Sequence, residues 1–149
     1  MVNLCPAAAA DFPAIRKLIW QVRINPSGLN WRRFTLAVNE AGGLLGCGQI
    51  KPHGDGSREL ASIAVIPSAR GQGIARALIT HLMQSEPPPL FLTCQPPLQP
   101  LYTRFGFRTL ALAEYPPYFR RLQRLVAVFN FFRRSHESFS LMRWDGNLN

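Results

Sequence analysis

The sequence predicts a single α/β domain built on a mixed sheet of six or seven strands flanked by helices. Three observations predict it. Strand-like apolar runs alternate along the chain with segments of helical period. One of those runs, Glu59 to Ile66, is nearly unbroken, as a strand covered on both faces requires. That run passes through Pro67 and a glycine turn directly into an amphipathic helix. The chain has 149 residues, enough for one sizeable core, and carries no repeat or low-complexity linker, so residues 1–149 are read as one domain.

The elements follow in order. Residues 2 to 5 read as a short first strand. Ala7 to Val22 reads as a helix, with Phe12, Ile15, Leu18, Ile19 and Val22 at helical spacing and Pro13 tolerable only near its start. Asn25-Pro-Ser-Gly28 ends it. Phe34–Asn39 and Leu44–Lys51 form a hairpin around Glu40-Ala-Gly-Gly43, and the turn Pro52–Ser57 leads into the strand Glu59–Ile66. Gln72–Ser85 is the clearest helix, with Ile74, Leu78 and Leu82 on one face and Arg76, Thr80 and Gln84 on the other. Three prolines stop it. Leu90–Cys94 is a short buried strand, Pro96–Arg104 a short helix, and Phe107–Ala113 a further strand. Pro116-Pro117 open a helix over Tyr118–Arg134 whose apolar positions are Phe119, Leu122, Leu125, Val126, Phe129 and Phe132; Ser138–Trp144 is the last strand.

Composition narrows the class. Hydrophobic residues make up 47% and charged residues 17%, a globular balance rather than a disordered one. No apolar run approaches the ~20 residues of a membrane span. The N-terminal segment lacks the basic start and Leu-rich stretch of a secretion signal, so the expected location is cytoplasmic. Cys5, Cys47 and Cys94 are odd in number and widely spaced, which reads as thiols rather than a disulfide frame or a zinc site. His53, His81 and His136 have no ligand spacing, so no metal is expected; His81 and His136 read as surface residues. The net charge of +9 attracts anions, whether a phosphorylated cofactor, nucleic acid, an acidic protein surface or anionic lipid, and does not choose among them.

The chemistry concentrates in ELASIAVIPSARGQGIA, Glu59 to Ala75. The first amides of a helix have no partner within it and form a positive end suited to phosphate. Gly71 and Gly73 let the backbone bend and approach a ligand, and Arg70 adds a fixed charge. The construction suits a pyrophosphate. It is not a Walker loop, because no G-x-x-x-x-G-K run is present, and it is a poor dinucleotide loop, because Arg76 stands where the third glycine belongs.

Arg70, Gly73 and Ala75 fill the defined places of the acetyl-CoA motif Q/R-x-x-G-x-G/A, and the segment resembles that of the GNAT N-acetyltransferase superfamily. LYTRFGF, residues 101–107, resembles the same family's F-Y-x-x-x-G-F segment, and the interval between the two is similar as well. The resemblance covers roughly Glu59 to Phe107 and implies the acyl-CoA N-acyltransferase fold, with acetyl-CoA in a split between the central strands. It implies that the backbone of Ile63, Ala64 and Val65 binds the pantetheine arm. Arg70, Gly71, Gln72, Gly73, Ile74 and Ala75 would hold the pyrophosphate, and Tyr102 would protonate the leaving thiolate. Gln95 stands where many members have an asparagine that contacts the cofactor. The implied reaction is acetyl transfer to a primary amine by direct attack in a ternary complex, without a metal.

A lysine-type amine, with pKa near ~10.4, is mostly protonated at neutral pH and must lose a proton first. Glu59 is the leading base, with His53 or water as alternatives. The acceptor stays open, small molecule or protein, and Trp31, Arg32 and Arg33 are candidates to line its cleft. The basic aromatic helix Tyr118–Arg134 reads as a helix packed on the sheet, with a lid, a homodimer surface or an interfacial membrane helix as alternatives. The rival function is a non-catalytic module that binds CoA, or one that uses the charge to bind nucleic acid or an acidic partner; no nucleic-acid motif is present.

Overall fold

The computed structural model describes residues 2–136 and 138–147. Among these, seven strands form one mixed sheet in the order β1-β2-β3-β4-β5-β7-β6. The strands are β1 (Asn3–Pro6), β2 (Phe34–Val38), β3 (Leu44–Pro52), β4 (Arg58–Val65), β5 (Leu90–Cys94), β6 (Arg108–Thr109) and β7 (Ser140–Trp144). The α-helices are α1 (Phe12–Gln21), α2 (Ile74–Gln84), α3 (Gln99–Thr103) and α4 (Pro117–Arg133). Strands β4 and β5 are parallel, with Glu59 opposite Phe91, whereas β1–β2, β2–β3, β5–β7 and β6–β7 are antiparallel.

Contacts group the chain into two units, Met1–Lys51 with Leu60–Glu86, and Pro52–Glu59 with Pro87–Asn149. In the first, Pro13 sets the start of α1, since it sits where its missing N–H costs nothing. Ile15, Leu18 and Ile19 then fall on one face and pack with Phe34, Leu36, Cys47 and Ala64. A second cluster joins Ile74 and Leu78 of α2 to Ala37 and Ala69. In the second unit, Phe91, Leu110, Phe119 and Leu141 form one core cluster.

Two expectations are corrected. The strand expected over Phe107–Ala113 is only two residues long. Glu114 accepts hydrogen bonds from the Ala111 N–H at 2.9 Å and from Arg108 at 3.1 Å, which stabilises a 3-10 turn in place of further strand. The expected apolar face of α4 is also narrower than read. Phe119 is buried, while Leu125, Phe129 and Phe132 are exposed. The helix carries more apolar residues than one stripe can cover.

The cysteines differ in environment. Burial pushes the Cys47 thiol up to about 12 and raises that of Cys94, whereas Cys5 is only half-buried. In native protein at mildly alkaline pH, a thiol reagent is therefore expected to modify Cys5 alone, with Cys47 and Cys94 reacting only after unfolding. Rapid native modification of more than one thiol would contradict this. The raised Cys47 pKa also gives a stability contribution present below the ordinary thiol range and lost as pH rises toward about 12.

Candidate functional site

The first unit presents a turn with unpartnered amides. After β4, the Ile66 N–H donates to the Leu45 carbonyl at 2.8 Å, and Pro67–Ala69 form a single 3-10 turn. Gly71 and Gly73 both adopt φ +78°, a left-handed conformation that side chains rarely take, so the chain turns sharply into α2. A Cβ added at either would meet nothing within 4 Å, so the glycines answer to backbone angle and leave open space beside the turn. The first helical bond runs from the Ala77 N–H to the Gly73 carbonyl at 3.0 Å. Among the described residues, the amides of Gly73 through Arg76 donate to no protein acceptor. Arg70, Gly71, Gln72 and Gly73 are exposed, Ala75 is half-buried, and the Ile74 side chain is in the core, which leaves only its amide for a ligand. A row of free N–H groups at a helix start, with an arginine beside it, suits a phosphorylated ligand.

Just upstream, Ser62 adopts φ +58° inside β4. Few non-glycine residues do so, and such a residue interrupts a regular ladder. Gln49 Nε2 donates to Ser62 Oγ at 2.8 Å, and Cys47 Sγ lies 3.7 Å from the Ser62 carbonyl, so the irregularity is held from β3. It immediately precedes Ile63, Ala64 and Val65; Ala64 is buried and its two neighbours are half-buried. No residue type at position 62 announces this, which is why the sequence reads as an unbroken strand.

The second unit gathers titratable groups. The turn between β3 and β4 is closed by the His53 N–H donating to the Ser57 carbonyl at 2.9 Å. This brings His53 Nε2 to 2.7 Å from Glu59 Oε2, with both side chains nearly buried. Thr93 Oγ1 donates to Glu59 Oε1 at 3.3 Å. Tyr118 stacks on the His53 ring at 3.5 Å between centroids, and Phe119 meets it edge-on at 5.4 Å. Asp55 of the same turn accepts the Tyr118 N–H at 2.9 Å. Burial alone would raise the Asp55 carboxyl, but bonds from Ser57 and Tyr118 hold it below the usual carboxylate range. Burial, aided by Glu59 and Asp55, raises the Tyr118 phenol. The two bases named as alternatives from sequence are therefore one hydrogen-bonded pair. Thr93 and Tyr118 lacked a sequence signal because each reaches the pair from a distant segment.

Tyr102 lies on α3, half-buried and edge-on to Phe107. Burial, together with Cys94, raises its phenol above the usual value, so it stays protonated at neutral pH. Gln99 anchors α3 by donating to Ser140 and accepting from Thr109. Gln95 is exposed, and among the described residues its side chain bonds to no protein group. Trp31 is half-buried with the Arg32 guanidinium 4.5 Å over its ring, and Arg33 is exposed. His81 and His136 are exposed. Among the described residues, no three His, Cys, Asp or Glu side chains gather as metal ligands would, and no helix is long and apolar enough to cross a membrane.

Comparison with known proteins places this chain. A family model described as an acetyltransferase (GNAT) domain matches residues 30–109, over half of the sequence. No curated protein matches in sequence. Among solved structures, N-acetylglutamate synthase from Neisseria gonorrhoeae, complexed with coenzyme A and N-acetyl-glutamate, is similar with TM-score 0.78 and 20% identity. The match covers 99% of this chain and 35% of the synthase, so the chain spans about a third of that protein's length. A Mycobacterium tuberculosis protein in complex with CoA is similar with TM-score 0.71 and 20% identity, covering 96% of this chain and 98% of that one. A GNAT-family acetyltransferase from Staphylococcus aureus gives TM-score 0.69 at 12% identity, covering 99% and 100%. At these identities the structural likeness speaks for the fold, and the family model for descent: the chain belongs to the GNAT acetyltransferase family.

Proposed function

We propose that the protein is an acetyl-CoA-dependent N-acetyltransferase, a single catalytic domain that moves the acetyl group directly onto a primary amine. The observation that carries this reading is the row of four helix-start amides, Gly73 to Arg76, that no acceptor among the described residues satisfies, beside exposed Arg70. Those groups fit the pyrophosphate of coenzyme A. The peptide groups of Ile63 to Val65, offset by the irregular Ser62, would receive the pantetheine arm and orient the thioester, and Gln95 would supply a further polar contact.

The chemistry follows from the remaining groups. The Glu59–His53 pair accepts a proton from the acceptor ammonium, directly or through water. The freed amine nitrogen attacks the thioester carbonyl carbon, the new C–N bond forms, and the C–S bond breaks. The leaving thiolate takes the Tyr102 phenol proton, and the second proton, shed by the attacking nitrogen as it becomes an amide, restores the phenol. A thiolate with pKa near ~8.5 is a better leaving group when a phenol donates to it. Because the Tyr102 pKa is raised, its acid form persists above the ordinary phenol range, and the alkaline limb it imposes on turnover is expected above pH ~10.

The direct test has two arms. Acetyl-CoA should raise the melting temperature by mass action, and thiol release with a panel of amines should identify the acceptor. No shift at millimolar acetyl-CoA would end the proposal; a shift without turnover on any amine would leave a CoA-binding module. Tyr102→Phe is expected to lower kcat by about tenfold to a hundredfold while acetyl-CoA affinity stays within about twofold. Equal losses in both would count against the acid role.

A further inference from the structure

The outward side of α4 carries a surface that the transfer reaction does not use. The helix has 17 residues and buries one side chain, Phe119. Phe131 and Phe132 are 80% and 79% exposed, and Leu125, Val128 and Phe129 are half exposed or more. At ~100° per residue, Arg121, Arg124, Val128, Phe131 and Phe132 share the side opposite Phe119. The segment from Pro117 to Arg134 holds five arginines and no Asp or Glu. Among the described residues, Arg121 and Arg124 pair with no carboxylate. We infer that this face of α4 seats the protein on the surface of a bilayer containing anionic lipid.

Charge and shape select that occupant. A second copy docked through the same helix would bring five more arginines and no carboxylate to meet them. A helix of 17 residues is about 26 Å long and offers a few hundred Å², below the ~800 Å² per partner of a stable interface. A purely acidic peptide or a nucleic-acid duplex would pair with the arginines yet leave Phe131 and Phe132 in water, and a single strand, whose bases could stack on the rings, would leave Val128 uncovered. A bilayer surface satisfies both sets: lipid phosphates meet the guanidinium groups, and the rings enter the boundary between headgroups and acyl chains. The +9 charge of the chain adds long-range attraction of the same sign.

The test is co-sedimentation of the full chain with vesicles of phosphatidylcholine alone, or mixed equally with phosphatidylglycerol. Binding to the mixed vesicles, weakened by salt, is expected, with little to the neutral ones. Arg121→Glu with Arg124→Glu, and separately Phe131→Ser with Phe132→Ser, should each lower partitioning by at least about tenfold. Melting temperature and amine acetylation in solution should be unchanged, since all four side chains are exposed. A Phe131→Trp variant should be quenched by brominated lipid, which superficial adsorption would not produce. Absence of binding to mixed vesicles, binding that either double variant leaves intact, or a dimer in solution that the phenylalanine variant abolishes would each overturn the inference.

Discussion

Replacing Glu59 by glutamine is expected to lower turnover at neutral pH by about a hundredfold or more, with acetyl-CoA affinity within about twofold of the parent. The amide keeps the size of the carboxylate and can still bond to His53 and Thr93, which lie 2.7 and 3.3 Å from its oxygens. It cannot take a proton. The loss should shrink as pH approaches the pKa of the acceptor amine, ~10.4 for a lysine-type group, because the amine then arrives unprotonated. His53→Ala should cost a similar factor, and the double variant little more than either alone, since one hydrogen-bonded pair performs one task. Multiplicative losses would mean two independent roles. Full activity in Glu59→Gln would assign proton removal to water.

The second large effect is expected at Gly73. A valine there must adopt φ +78°, which strains a β-branched residue by about 1–3 kcal/mol. The open space means the cost is backbone strain rather than collision. Gly73→Val should therefore weaken acetyl-CoA binding by at least about tenfold, since relief of the strain rotates the amides of the turn away from the ligand. Gly73→Asn, which tolerates the left-handed region, should retain most of the affinity. Calorimetric titration of both variants gives the answer. Equal binding by valine and glycine would remove the amide cradle from the proposal. Arg70→Ala should weaken binding less and flatten its salt dependence, as loss of one exposed charge predicts.

The order of elements was readable because it rests on local rules. Pro13 marks the start of α1, the Ile74, Leu78 and Leu82 period marks the buried side of α2, and LFLTC marks β5 within the bounds observed. Arg70 to Ala75 was legible for the same reason: a strand, a proline, two glycines and a helix are consecutive, and the free amides follow from helix geometry. The strand after Phe107 was overestimated because Glu114, not the apolar pattern, ends it. The width of the buried stripe on α4 was overestimated because apolar spacing states what a helix could cover, not what covers it.

The family resemblance and the β4–turn–α2 construction could be read from residue order alone, since each depends on neighbours along the chain. Long-range packing brings His53 to within a hydrogen bond of Glu59 and stacks its ring on Tyr118, gives Ser62 a positive φ inside β4, and leaves Phe131 and Phe132 facing solvent. Those facts depend on segments far apart in sequence meeting, or failing to meet, across packed surfaces, and residue spacing carries no record of such encounters.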